Sequence, residues 1–254
     1  MSEAVLTEER DGVLVITLNR PEARNAINGD VARGVAAALD RLDDEDDLRV
    51  GVLTGAGGSF CAGMDLKGFL AGDVPVIEGR GLGGLTERPP RKPLVAAVEG
   101  YAVAGGFELV LACDLVVAGA GARFGVPEVK RGLVAGAGAA LHLAQRIPQA
   151  VALEMLLTGE PVDAGRAAEL GLVNRVVPDG AAVDAAVDLA RAVAANGPLA
   201  VAVTKQVARS ARDWTIAEGW QRQAELMAPV FVSEDAQEGA IAFAEKRPPV
   251  WKGR

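Results

Sequence analysis

The sequence predicts an α/β fold that ends in a purely helical region. Two observations predict it. From Val13 to Ala195, short β-branched runs alternate with stretches of helical periodicity. From Leu199 to Phe243 the helical spacing continues while strand signals stop. The expected organisation is a core over residues 1–195 and a helical region over 196–254.

The elements follow in order. Val13–Leu18 (VLVITL) reads as a strand closed by the Asn19-Arg20-Pro21 turn. Asn28 to Asp43 reads as a helix, with Asn28 or Asp30 as cap and Val31, Val35, Ala38, Leu39 and Leu42 on one face. Val50–Thr54, Leu94–Val98, Leu115–Ala118 and Leu172–Val177 are further strands. Between the first and second of these, residues 68–93 are rich in Gly and Pro and lack periodicity, which predicts a mobile lid or specificity loop. Helices are expected at Gly105–Cys113, Ala137–Arg146, Val151–Thr158 and Ala181–Ala195. In the tail, Trp214, Ala217 and Trp220 mark an amphipathic helix, and the apolar end at Trp251 suits an interface.

Composition removes several function classes. A net charge of -8 argues against a nucleic-acid partner, which needs a basic face. No apolar run is long enough to span a bilayer, and residues 1–10 lack the pattern of a secretory signal, so no membrane partner and a cytoplasmic location are expected. One histidine and two cysteines cannot build a His-rich or structural zinc site, so no metal is expected. His142 has no G-x-S-x-G serine to serve, and it reads as a helix-surface residue. Neither G-x-G-x-x-G nor a P-loop occurs.

Three segments carry candidate chemistry. In Glu99–Asp114 (EGYAVAGGFELVLACD) a strand ends, a turn follows, and a helix begins near Gly105. The first amides of a helix lack intrahelical partners and favour a negative oxygen. Gly105 and Gly106 leave that backbone open to a ligand. Glu108 sits one turn in, among Phe107, Leu109, Val110 and Leu111, where burial would raise its pKa towards the range useful for proton transfer. The alternative is a surface glutamate or one paired with arginine. In Ser59–Lys67 (SFCAGMDLK), Ala62 and Gly63 again expose backbone, a weak signal alone. In Phe124–Gly138, Pro127-Glu128 starts a helical turn, where the glutamate by itself would merely complement the dipole.

Taken together, the three segments resemble the crotonases, the enoyl-CoA hydratase/isomerase family. That family carries F-x-A-G-x-D-[LI], then G-x-x-x-G-G-G-x-E-L-x-x-x-C-D, then P-E before a glycine-rich turn. Here these stand as Phe60–Leu66, Gly100–Asp114, and Pro127-Glu128 with Gly136-Ala137-Gly138. Asn19-Arg20-Pro21 with Asn25-Ala26, and Leu157-Thr158-Gly159 through Gly171-Leu172-Val173, match further blocks, so the likeness runs in order along nearly the whole chain. It departs at Ala104, where a glycine is usual, at Met64, where alanine is common, and at Ala139–His142 after the glycine turn.

The resemblance implies a spiral of repeated strand–strand–helix units capped by the helical tail, in a homotrimer or hexamer. It implies an acyl-CoA substrate and no separate cofactor, coenzyme A being part of the substrate. The backbone amides of Met64 and Gly105 would form an oxyanion hole for the thioester carbonyl. Glu108 and Glu128 would be the catalytic pair of a hydratase. Ala23, Arg24, Asn25, Ala62, Asp65, Leu66 and Lys67 would line the CoA path, with Arg24, Lys67 and Lys246 near phosphates, Lys246 from its own or a neighbouring subunit. The same scaffold carries double-bond isomerases and thioester hydrolases, and a non-catalytic CoA-binding protein is the remote alternative. The glutamate pair puts hydration ahead of these.

Overall fold

The computed structural model describes residues 3–254. A hairpin opens it, β1 (Val5–Arg10) and β2 (Val13–Leu18), followed by helix α1 (Gly29–Asp44) and β3 (Val50–Gly55). Asn28 caps α1 by accepting from the Val31 amide at 3.0 Å. Next come α2 (Leu66–Leu70), the short paired strands β4 (Val76–Ile77) and β5 (Gly81–Leu82), and the strands β6 (Leu94–Val98) and β7 (Tyr101–Val103), which enter different sheets. Helix α3 (Gly105–Ala112) leads to β8 (Leu115–Gly119) and β9 (Arg123–Gly125), then α4 (Ala139–Arg146), α5 (Gln149–Thr158), β10 (Val162–Asp163) and α6 (Ala164–Glu169). The chain closes with β11 (Arg175–Val177) and helices α7 (Ala182–Ala194), α8 (Pro198–Ser210), α9 (Ile216–Phe231) and α10 (Glu234–Glu245).

Six strands form the main sheet in the order β1-β2-β3-β6-β8-β11. Only the β1–β2 pair is antiparallel; the others run parallel in register, as Val15↔Val52 and Ala97↔Val117 show. Both faces of this sheet are covered, which is why its strands read as continuous apolar runs. Leu14, Ile16, Leu18, Leu53, Leu94, Ala96 and Val98 enter the large core shared with α1 and α3. The alternate residues Val13, Val15, Val50, Val52, Val95 and Ala97 meet Ala182, Ala186 and Ala190 of α7. A row of alanines four apart lets that helix lie close on the valine surface.

A second layer grows from the same turns of chain. β7 and β9 pair in parallel, β10 joins antiparallel, and single bridges link Ile27 to Met64 and Cys61 to Ala102. Each turn of the spiral thus contributes one strand to each layer, and the bends between them face the candidate site.

The structure adds detail to several of these expectations. Residues 68–93 contain β4 and β5; residues 81–86 are buried, while much of 69–79 is exposed. Gly84 serves close packing, because a side chain there would meet the Ala32 carbonyl and the Ala36 methyl, 2.9 Å away. Trp251 is engaged within its own chain. Its indole N–H donates to the Ala195 carbonyl at 2.8 Å and its ring lies on Gly197 and Gly239. The strand expected at Leu172 begins only at Arg175.

Ala104, at the bend from β7 into α3, has φ 52° and ψ -132°. Glycine enters that corner of backbone space freely, and a Cβ there is strained by about 1–3 kcal/mol. Relief of that strain exceeds the extra unfolded-state freedom of glycine, about 0.5–1 kcal/mol. Ala104→Gly is therefore expected to stabilise the protein by about 1 kcal/mol, seen as a higher denaturation midpoint in urea. A lower midpoint would show that the alanine conformation is not strained.

Candidate functional site

The site begins where two stretches of backbone touch. Gly63 has φ 96°, and a side chain there would stand 2.7 Å from the Ala104 Cβ and 3.2 Å from the Gly105 nitrogen. A side chain at Gly106 would run into the Cys61 carbonyl. The bend after β3 is thereby pressed onto the start of α3. A methyl group at Gly105 would lie 3.5 Å from the Met64 nitrogen, so the two amides flank one small space. The Ile27–Met64 bridge uses the Gly63 carbonyl and the Asp65 amide, which leaves the Met64 N–H out of the ladder. Gly105 is the first residue of its helix, so its N–H has no intrahelical partner. Neither amide donates to another group among the described residues.

Both amides line a cavity of about 400 Å³ that also receives Glu108 and Glu128. Leu66, Val76, Leu82, Leu133 and Val134 supply apolar walls. Glu108 lies on the fully buried α3 and is 3% exposed. One of its carboxylate oxygens, Oε1, accepts from the Ala137 amide at 2.7 Å and the Ala139 amide at 3.1 Å. Burial pushes its pKa up, against the pull of those two donors. Glu128 sits on the 3₁₀ turn Pro127–Arg131, which proline starts and Gly132 ends at φ 68°. Its Oε2 is buried without a hydrogen-bond partner among the described residues. Burial raises its pKa, and the charge of nearby Glu108 raises it further. Two carboxyls thus share one pocket whose surroundings favour retention of a proton.

The other anticipated residues are placed as follows. Ala62 and Leu66 line the cavity. The Ala62 amide donates to the Arg24 carbonyl at 3.0 Å, so the turn at residues 23–25 abuts the cavity wall. Arg24 and Lys67 are exposed. The side chain of Asn25 has a structural task. It is fully buried at φ 55°, donates to the Ala56 and Ser59 carbonyls and accepts from the Arg20 amide. The carboxylate of Asp65 caps α2 and pairs with Arg20 at 3.0 Å. The Gly68 amide above all, then Arg20 and the Lys67 amide, hold it below the usual carboxylate range. Only the backbone of these two residues remains available to a ligand. Lys246 ends α10 in a left-handed conformation, is exposed, and does not line this cavity.

Sequence reasoning missed the amides of Ala137 and Ala139 as the groups that hold Glu108, although the Gly136–Gly138 turn was visible. It did not name Leu82 and Glu87, which lie within the stretch marked as a lid or specificity loop, nor Arg131 and Leu133, at and just after the 3₁₀ turn that carries Glu128. The thiols of Cys61 and Cys113 are buried, and burial pushes both up to about 12, so neither is a nucleophile at neutral pH.

The raised Glu128 pKa has a consequence for stability. The native protein holds that proton to higher pH than the unfolded chain does. Its contribution is fully present below the unfolded pKa and is lost as pH rises through the native one. Glu128→Gln escapes this loss. Its stability relative to the parent should therefore increase between about pH 4 and about pH 7.5, measured by chemical denaturation at both values. A difference that does not change with pH would contradict a buried, charge-crowded Glu128.

Comparison with known proteins places the chain in a family. The family model described as enoyl-CoA hydratase/isomerase matches residues 8–254. A solved structure of the enoyl-CoA hydratase EchA1 from Mycobacterium marinum superposes with a TM-score of 0.98 at 58% identity, covering 100% of both chains. The enoyl-CoA hydratase EchA19 of Mycobacterium tuberculosis is 43% identical over 98% of this chain and 96% of its own. The carnitinyl-CoA dehydratase of Proteus mirabilis is 41% identical over 100% of both. The named relatives are hydratases or dehydratases, and the fold superposes on that of the solved relative: the chain is a hydro-lyase-type enzyme belonging to the enoyl-CoA hydratase/isomerase family, the crotonases.

Proposed function

We propose that this enzyme adds water across the 2,3 double bond of a 2-enoyl-CoA thioester, or removes it in reverse, using Glu108 and Glu128. The observation that carries this reading is the single cavity holding two unpartnered backbone amides and two carboxyls. The Met64 and Gly105 amides would grip the thioester oxygen as charge develops on it. One such donor is typically worth about 3 kcal/mol of barrier. With the carbonyl held there, C2 and C3 extend towards the two glutamates. Glu108, its Oε1 held by two amides, orients a water and takes its proton as the oxygen bonds to C3. Glu128, whose pKa is raised by burial and by its neighbour's charge, delivers a proton to C2. The apolar walls suit an acyl chain, and the exposed cations Arg24 and Lys67 beside the mouth suit the CoA phosphates. Lys246 would reach them from a neighbouring subunit.

That last role needs an assembly, and the tail supports one. Ile216 is 83% exposed and Phe243 is 88% exposed on helices that lack a partner on that side. Apolar surface of this kind is normally buried between subunits. We expect homotrimers or their pairs, and the mass in solution, measured by light scattering, should be a multiple of three chains; a monomer or dimer would remove this part of the reading.

Glu108→Gln and Glu128→Gln are each expected to lower turnover on crotonyl-CoA by at least about 100-fold while leaving CoA affinity nearly unchanged. Full activity in either variant, or hydration of no 2-enoyl-CoA by the parent, would defeat the assignment. Product analysis with 3-enoyl-CoA separates hydration from isomerisation.

A further inference from the structure

A second cavity, about 570 Å³ and thus larger than the catalytic candidate, opens beyond the C-terminal end of α3. Its wall brings together four cations, Arg146 from α4 and Lys205, Arg209 and Arg212 from α8 and the turn after it. It contains two carboxylates, Asp114 and Asp213. In a chain of net charge -8, such a concentration of positive charge runs against the overall balance.

The internal pairing leaves part of that charge unmatched. Asp114 is fully engaged: it accepts from Lys205 at 2.6 Å, from Arg209 at 2.8 Å and from the Leu94 amide at 2.8 Å. Arg146 donates to the Leu111 carbonyl at 2.6 Å and has no carboxylate partner among the described residues. Arg212 has only the Gln145 side-chain oxygen at 3.4 Å. Asp213 forms no ion pair among the described residues. Burial above all, and then the neighbouring Arg209 and Arg212, pull Arg146 below the ordinary arginine range. His142 lies in the same wall and is held towards its neutral form, chiefly by burial, so its ring also offers a donor.

We propose that this cavity binds a phosphate-class oxyanion. Guanidinium groups present paired donors that match the oxygens of phosphate, and charge-assisted bonds of this kind are the strong ones. A tetrahedral oxyanion has enough acceptors to serve Arg146, Arg212 and His142 together, which a single carboxylate has not. The pocket is separate from the cavity that holds Glu108, although it lies at the far ends of α3 and α4, the two helices that position that residue. The source is either free phosphate or the phosphate ester of a nucleotide.

The test uses the full-length protein and two probes, inorganic phosphate and adenosine 3′,5′-bisphosphate, with sodium chloride at matched ionic strength as control. Calorimetry should show saturable phosphate binding, and thermal melting a rise that chloride does not produce. Arg212→Gln, an exposed position outside the catalytic cavity, should weaken phosphate binding at least about tenfold without changing hydratase turnover. Tighter binding of the bisphosphate that is also lost in Arg212→Gln assigns the pocket to a nucleotide phosphate; equal or weaker binding assigns it to the free ion. The proposal is overturned if the parent responds to phosphate no more than to chloride, as it would if a second copy of the chain already neutralises the cluster. An unchanged phosphate affinity in Arg212→Gln overturns it equally.

Discussion

The close approach of two backbone bends is the constraint on which the rest of this structure depends. The Cys61–Met64 segment and the start of α3 touch through positions that tolerate no side chain, at Gly63 and Gly106. That contact turns the Met64 and Gly105 amides towards one space and keeps both out of secondary-structure bonding. An unpaired buried amide is normally unfavourable. Here the surrounding framework holds the arrangement in place. Parallel pairing of β7 with β9 fixes one bend, and the Ile27–Met64 bridge fixes the other. Asn25 ties the preceding turn to the loop at residues 56–59 with two donors and one acceptor.

Around that contact, the chain tolerates local electrostatic disadvantage. Glu108 is buried in an apolar helix, and Glu128 lies close enough to feel its charge. Each would be more comfortable in water. The two amides at Ala137 and Ala139 restrain Glu108 in one orientation, whereas the Glu128 Oε2 atom has no hydrogen-bond partner among the described residues. The two neighbouring acids thus stand in different surroundings, one oriented by backbone donors and the other not.

Much of this was legible in the sequence because the informative positions are local. The strands at Val13–Leu18 and Leu94–Val98 are runs of apolar residues buried on both faces, and they are found where the pattern places them. The helix starting at Gly105 and the carboxylate one turn inside it were visible for the same reason. β1 was missed because it is a largely exposed edge strand carrying Thr7, Glu8 and Glu9, which removes the hydrophobic signal. β7 and β9 were missed because three residues are too few to show a period. The glycine-rich stretch after α2 reads as mobile when only composition is considered, yet Gly84 is a contact point against α1 and Gly83 one against Leu109 of α3.

The sequence by itself determined which backbone is exposed at a helix start, that Glu108 sits in apolar surroundings, and that strands give way to helices along the chain. These depend on neighbours within a few residues, and those neighbours are written in order. The tertiary structure alone decided that residues 64 and 105 flank one space, that residues 108 and 128 enter one cavity, and that Asn25 and Asp65 spend their side chains on the fold. It also decided the gathering of cations from α4 and α8 around the end of α3. Each is a meeting of segments distant in sequence, set by sheet register and by how closely glycine lets two backbones approach, and no local pattern encodes such a distance.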